Sequence, residues 1–171
     1  MTKPRLSHLD SDDRPLMVDV GGKPSTRRTA RARAEVLLPE GIARRFDGRE
    51  LQTAKGPVFH TASLAGIMAA KRTSDLIPLC HPLPLDRCTV DLRMEKGNRI
   101  GIEATVSTEG RTGVEMEALT AVSLAALTVY DMCKALGHGI LIERIGLLEK
   151  TGGKTDLRRP DLDQPLADSP E

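Results

Sequence analysis

From Thr29 to Leu38 the chain reads TARARAEVLL, and it alternates. Ala30, Ala32, Ala34, Val36 and Leu38 fall on one side, and Arg31, Arg33 and Glu35 fall on the other. A period of two predicts a strand with one face buried. Pro39 then opens a short helix over 40–47, closed by Asp47-Gly48. Residues 57–74, PVFHTASLAGIMAAKRTS, read as a helix with Pro57 in its first turn. Val58, Ala62, Ala65 and Ala69 share a stripe, whose small residues imply close packing on another element. Residues 76–85 carry Pro78, Pro82 and Pro84 and are irregular. Two strands follow, 86–95 and 98–108, with Lys96-Gly97-Asn98 as their hairpin turn. A long helix over 113–136 ends near Gly137. A last strand, 140–150, runs into Thr151-Gly152-Gly153-Lys154.

This order predicts an α+β, ferredoxin-like fold, an antiparallel sheet with helices packed on one face. The 171 residues form one domain. Its folded core spans about 17–155, and the polar, proline-marked stretches 1–16 and 156–171 read as flexible tails. The long helix is apolar almost all round from Val114 to Leu136, which implies burial. Its far side is expected to meet another subunit. Yet it carries Glu115, Glu117, Asp131 and Lys134. A buried charge is costly unless paired or put to chemical use. Asp131 and Lys134, three apart, are neighbours on the helix surface. Glu117 and Asp131 share a face but lie about 21 Å apart along the axis. Either they do different jobs or a second subunit brings them together. The plain structural alternative is a helix with two ion pairs.

Composition narrows the function classes. Net charge is +1, so no whole-molecule field calls for nucleic acid or an anionic membrane. Aromatics are 2%, namely Phe46, Phe59 and Tyr130, which argues against base-stacking binders of single strands. Cys80, Cys88 and Cys133 are odd in number and form no C-x-x-C, so a disulfide framework is not expected. The N-terminus lacks a signal-peptide core and no run of about 18 apolar residues is seen. The expectation is a cytoplasmic protein.

Five places offer chemistry. Lys23, Arg27, Arg28, Arg31 and Arg33 precede the first acid of the strand, and guanidinium forks suit phosphate oxygens. Against this, basic residues also protect a strand edge. Lys55-Gly56 precedes a helix start, an anion-binding arrangement. Cys80-His81-Pro82 holds an imidazole in a proline-stiffened loop, suited to hydrogen bonding or proton relay. Lys150-Thr151-Gly152-Gly153-Lys154 lets backbone approach a phosphate, though it is no Walker A loop. Asp131 and Lys134 form the fifth, with the lysine's pKa expected to fall in an apolar setting. No metal or other cofactor is called for. His60, Asp75 and His81 do not compose a ligand set for a metal-dependent phosphohydrolase. Together the groups suggest an enzyme acting on a polyphosphorylated small molecule. The competing reading is a non-catalytic nucleotide-binding ferredoxin-like module.

Longer motifs add a resemblance. K-G-x-V-F at 55–59, A-A-K-R-T-x-D-L-I-P-L-C-H-P-L at 69–83 and T-G-V-E-M-E-A-L-T-A at 112–121 are similar to those of one family. So are M-V-D-V at 17–20, Y-D-M-C-K at 130–134 and G-G-K at 152–154. The family is that of molybdenum cofactor biosynthesis protein C, the cyclic pyranopterin monophosphate synthases. The resemblance implies a ferredoxin-like fold and a homohexamer, a trimer of dimers with active sites at the dimer interface. It implies a lyase acting on a phosphorylated purine-derived substrate, 3′,8-cyclo-7,8-dihydroguanosine 5′-triphosphate, and releasing diphosphate. By the same resemblance Asp131, Lys134 and Lys55 are catalytic. Leu79, Cys80, His81, Met116 and Glu117 bind substrate. Lys23, Arg28, Lys71, Lys150 and Lys154 are basic positions for the triphosphate.

Overall fold

The computed structural model of the protein describes residues 14–163. Of the expected tails, residues 1–13 and 164–171 lie outside the described residues. The alternating first strand becomes β1 (Thr26–Leu37), the third strand across a five-stranded antiparallel sheet. On one side it pairs with β5 (Arg99–Gly110) along its whole length, from Thr26 opposite Gly110 to Leu37 opposite Arg99. On the other it pairs with β6 (Leu141–Thr151), with register shifts after Arg31 and after Glu35. β4 (Arg87–Glu95) lies outside β5, and β7 (Leu157–Arg158) extends the sheet beyond β6. Gly97 and Asn98 both take positive φ, 67° and 57°, which is the turn that suits a tight hairpin between β4 and β5.

Two helices cover one face, α2 (Val58–Ala70) and α4 (Glu115–Cys133). With β1, β4, β5 and β6 they complete the split βαβ arrangement expected from the sequence. Ala30, Ala32, Ala34 and Val36 meet Ile100, Ile102, Ala104 and Val106 beneath α4, all within 1% of full burial. From α4 come Ala118, Ala121, Val122, Ala125, Ala126 and Val129, the helical stripe that faces the sheet. By length and composition alone, α4 with its terminal 3₁₀ turn (Lys134–Leu136) is long and apolar enough to cross a bilayer. Its packing against the sheet and α2 makes it the core helix of this fold.

Besides β7 and the 3₁₀ turn Pro160–Leu162, which lie in the stretch read as a tail, the elements differ from the expectation in three places. The helix expected over 57–74 breaks at Lys71–Arg72, and α3 (Thr73–Leu76) starts anew. The short helix after Pro39 is α1 (Glu40–Ala43), a single turn. Between α1 and α2 the chain adds a ribbon, β2 (Gln52–Thr53) against β3 (Gly56–Pro57). Two-residue strands are too short to leave a period in the sequence.

The outer face of β1 is not wet. Arg33 is 2% exposed and Glu35 is fully buried. The Arg33 guanidinium donates to Glu35 (3.1 Å), Glu103 (3.1 Å) and Glu95, while Arg144 pairs with Glu35. Arg31 donates to Glu103 and Glu149, both at 3.2 Å. The 3₁₀ turn Pro160–Leu162 leans on the same face, with Leu162 against Gly146. The strand is therefore covered on both sides, by apolar groups below and by ion pairs above. Removing one partner from such a buried set costs about 3–5 kcal/mol.

α2 and α4 touch through small residues, as the stripe implied, but with Gly66 buried at the contact in place of Ala65. A Cβ at Gly66 would come within 2.8 Å of the Ala121 main-chain oxygen and 3.2 Å of Val90. Gly66→Ala gains about 1 kcal/mol of helix propensity. It meets a steric cost of about 1–3 kcal/mol because backbone must move. The expected outcome is a lower midpoint in denaturant unfolding. An unchanged or higher midpoint would show that the two helices have room to spare.

Candidate active site

The last turn of α4 presents Asp131 and the adjoining 3₁₀ turn presents Lys134. Lys134 Nζ donates to Asp131 Oδ1 at 2.7 Å. Lys55 arrives from the turn of the β2–β3 ribbon, 76 residues away in sequence. Its Nζ donates to Asp131 Oδ2 at 2.7 Å and to the Asp131 main-chain oxygen at 2.8 Å. One carboxylate thus lies between two ammonium groups. Spacing alone left Lys55 as a separate anion site, and only the family resemblance grouped it with Asp131 and Lys134; the fold brings the three side chains into contact.

The pair is not buried in the single chain, contrary to expectation. Asp131 and Lys134 side chains are 55% and 57% exposed. Nor does the lysine's pKa fall. Hydrogen bonds from Lys134 and Lys55 pull the Asp131 carboxyl down to about 2, and the bond to Asp131 raises Lys134. Ion pairing outweighs desolvation, since water still reaches both groups. Asp131 is a firmly ionised acceptor, and Lys134 holds its proton.

At the opposite end of α4 a cleft of about 450 Å³ opens. Its walls are the proline-rich loop (Leu79, Cys80, His81, Leu83), the segment Val18–Lys23 and the start of α4 (Glu115, Met116, Glu117). His81 Nε2 lies 2.8 Å from the Val18 main-chain oxygen. A carbonyl only accepts, so Nε2 carries the hydrogen of this contact and Nδ1 is the ring nitrogen it leaves over. Glu117 is 4% exposed. Burial pushes its carboxyl pKa up, its own N–H partly offsets this, and Glu115 adds to it. Burial and then Glu117 raise the Cys80 thiol, which argues against a thiolate nucleophile.

A second cleft of about 160 Å³ adjoins it, sharing Lys23, Thr112, Gly113 and Glu115. Lys23, Arg28, Arg111, Lys150 and Lys154 line it, a cationic set fit for phosphate oxygens. Lys23 is set by a turn in which its N–H donates to Val20 O at 3.1 Å. Arg28 donates to Gly110 O at 3.3 Å, and Lys150 to Glu115 at 3.0 Å. Gly152 is required for another reason than phosphate approach. Its φ is +81° and a Cβ there would lie 1.9 Å from the Arg27 main-chain oxygen.

Leu79, Cys80, His81, Met116, Glu117, Lys23, Arg28, Lys150 and Lys154 thus gather at one end of α4. Asp131, Lys134 and Lys55 gather at the other, and one chain does not bring the two groups together. Lys71 lines neither cleft; it caps α2, and its charge acts on Cys88. Arg31 and Arg33, candidates for phosphate, are taken by carboxylates instead. Arg111 and Glu115 were missed as cleft residues, although the T-G-V-E-M-E motif that follows Arg111 marks the spot. Among the described residues no three His, Cys, Asp or Glu side chains are grouped to hold a metal ion.

The MoaC family pattern matches residues 17–153. Cyclic pyranopterin monophosphate synthase of Thermomicrobium roseum is 54% identical over 161 residues, 93% of this chain and 95% of the relative. The protein of the same name from Desulforapulum autotrophicum is 55% identical over 151 residues, 88% and 91% of the two chains. Molybdenum cofactor biosynthesis protein 1 of Drosophila melanogaster is 51% identical over 158 residues, 92% of this chain but 28% of that longer protein. The chain belongs to the MoaC family.

The Asp131 cluster predicts a titration. A depressed carboxyl pKa favours the folded state above the ordinary carboxylate range, and the benefit is lost as pH falls toward about 2. Lys55→Ala and Lys134→Ala each raise the Asp131 midpoint from about 2 toward 3.8, read by carboxyl-carbon NMR. A midpoint unmoved in both variants would mean that neither ammonium contacts Asp131 in solution.

Proposed function

We propose that this member of the MoaC family is a cyclic pyranopterin monophosphate synthase. It converts 3′,8-cyclo-7,8-dihydroguanosine 5′-triphosphate to cyclic pyranopterin monophosphate and diphosphate, as a lyase of molybdenum cofactor biosynthesis. The observation that carries the reading is the meeting of Lys55, Asp131 and Lys134. Three residues from two separate family-like motifs converge within 2.7 Å contacts.

In this reading the five cations of the smaller cleft hold the triphosphate. A sugar hydroxyl attacks the α-phosphorus, and the bond to the bridging oxygen breaks with its electrons leaving on diphosphate, which also takes up the hydroxyl proton. Lys23, Arg28, Lys150 and Lys154 offset the charge that grows there. Lys71, which the single chain places away from both clefts, keeps only a peripheral role. Leu79, Cys80, His81, Met116 and Glu117 receive the guanine-derived ring, with His81 Nδ1 and the Glu117 carboxyl as its polar readers. A site built from such groups rejects analogues lacking the matching donor or acceptor.

Proton transfer in ring opening and closure falls to Lys134 and Lys55. Asp131 fixes both ammonium groups, and its bond raises the pKa of Lys134, which acts first as a proton donor. The residues of the two ends meet across a dimer interface, in a homohexamer built as a trimer of dimers. Support comes from the outer surface of the helix layer, where Leu64, Met68, Leu127 and Tyr130 are each at least 41% exposed. Apolar side chains of that size side by side mark an association surface. We assign the protein to the cytoplasm and to a single domain over 1–171.

Two outcomes test the reading. With enzymatically prepared substrate, Asp131→Asn and Lys134→Ala abolish both diphosphate and pterin product while the assembly stays intact. Turnover near that of the unaltered protein in either variant removes that residue from the chemistry, and binding without product would make the chain a nucleotide-binding module. Mixing Lys134→Ala chains with Glu117→Ala chains restores part of the activity, because some interfaces then pair two intact halves. No recovery after proven subunit exchange would count against the shared site.

A further inference from the structure

Lys55 reaches Asp131 from a ribbon of only two residue pairs, Gln52 opposite Pro57 and Thr53 opposite Gly56. Isolated two-stranded hairpins are marginal in water even at ordinary length. The Lys55 side chain is 46% exposed, so packing does not fix it either. Something outside the ribbon must set where the ammonium sits.

Glu50 is placed to do this. It is 6% exposed, and the proposed chemistry makes no use of it. Its Oε1 accepts the N–H of Leu51 and the N–H of Phe59, both at 2.7 Å. Its Oε2 accepts the His60 N–H at 3.2 Å and meets His60 Nδ1 at 2.7 Å. Leu51 is the residue just before β2, and Phe59 and His60 follow β3 by two and three positions. A single carboxylate therefore fastens both feet of the ribbon.

The surroundings reinforce that grip. Leu51 and Val58 are fully buried below, and the Val58 N–H donates to Leu51 O at 2.9 Å. The Glu50 N–H is itself held by Asp47 Oδ1 at 2.7 Å. In the turn, Thr53 Oγ1 accepts the Lys55 N–H and donates to Gly56 O, each at 3.1 Å. Burial disfavours the charge on Glu50, yet the N–H donors of Phe59 and Leu51 together with His60 hold its carboxyl below the usual range. It is thus an ionised acceptor with both oxygens occupied, which an amide cannot imitate.

We propose that Glu50 is a positioning residue of the reaction, clamping both feet of the β2–β3 ribbon so that the Lys55 ammonium stays on Asp131. This rests on the reading of Lys55 and Asp131 as catalytic groups. The substrate is gripped at the far end of α4, so loosening the ribbon disturbs turnover and not binding. A role confined to capping α2 would instead weaken the fold and leave the rate per folded site alone.

The test uses full-length assembled protein. Glu50→Gln lowers kcat by about tenfold, the scale of a sub-ångström misplacement, and keeps KM within about twofold. Amide hydrogen exchange quickens in 51–60 and stays unchanged in 115–133. Thr53→Val, which loosens the same turn from the surface, gives the same loss in kcat alone. An unaltered kcat in Glu50→Gln overturns the proposal, as does a loss in kcat with exchange in 51–60 unchanged or quickened everywhere. If Glu50→Gln does not fold, Thr53→Val decides, and full turnover there overturns it. Lys55→Ala is measured alongside: turnover retained in that variant overturns the catalytic reading of Lys55, and the positioning role falls with it.

Discussion

The length of α4 is the constraint on which the rest of the molecule depends. From Glu115 to Cys133 it crosses the sheet once, and its buried stripe of alanine and valine fixes it over β1, β5 and β6. Chemistry-bearing residues sit at its two ends and not along its middle, because the middle must face the sheet. Each end is then completed by a different piece of chain. The proline loop and the Val20–Lys23 turn wall the first end. The β2–β3 ribbon closes the second. A helix this long cannot fold its ends together, so the two half-sites stay about 21 Å apart in one chain. Under the proposed function, symmetry between chains is the economical way to unite them.

The sheet sorts its cations by face and by end. Arg31, Arg33 and Arg144 lie on the outer face amid Glu35, Glu95, Glu103 and Glu149, and their charge is consumed locally. Arg28 is on the same strand as Arg31 and Arg33. It lies near the strand's start, where β1 meets Gly110 and the loop after β6, and its guanidinium donates to the Gly110 main-chain oxygen. A strand rich in arginine therefore serves two ends. Coulomb attraction in a site shielded from water is several times that at an exposed surface, so the paired arginines are bound too tightly to serve a ligand. What remains for an anion is the set at the strand's end.

Much of this fold is legible in the sequence. The period-two run of β1, the Gly97-Asn98 turn and the long apolar helix each have one physical reading, and they fix the split βαβ order. The covered outer face of β1 was not legible, because Arg31, Arg33 and Glu35 look solvated until β4, β5 and β6 supply their partners. The β2–β3 ribbon was too short for any period to register. At the site, Asp131 and Lys134 were legible as neighbours from their spacing. Their exposure was not, because an apolar helix suggests burial without telling which side lacks a cover. Lys55 was grouped with them by resemblance alone, and its contact with Asp131 became visible only in the tertiary structure, since nothing local links residue 55 to residue 131.

The exposure of the Asp131 cluster bears directly on its chemistry. In the single chain water competes for all three charged groups, and the carboxyl still falls to about 2. Covering the cluster would strip that water. The ion pair then strengthens if both ammonium groups remain, because the local dielectric falls. If one ammonium gives up its proton to substrate, the remaining charges balance one to one, a state that burial tolerates better than a net positive charge. Enclosure therefore favours proton delivery from a cluster of two lysines and one carboxylate more than exposure does. Under the proposed function a second subunit covers the exposed apolar side chains Leu127 and Tyr130, which border this end of α4. In the proposed function, association and proton donation are then coupled by one physical cause, the removal of water from a cluster whose net charge would be +1 before the proton leaves and zero after it.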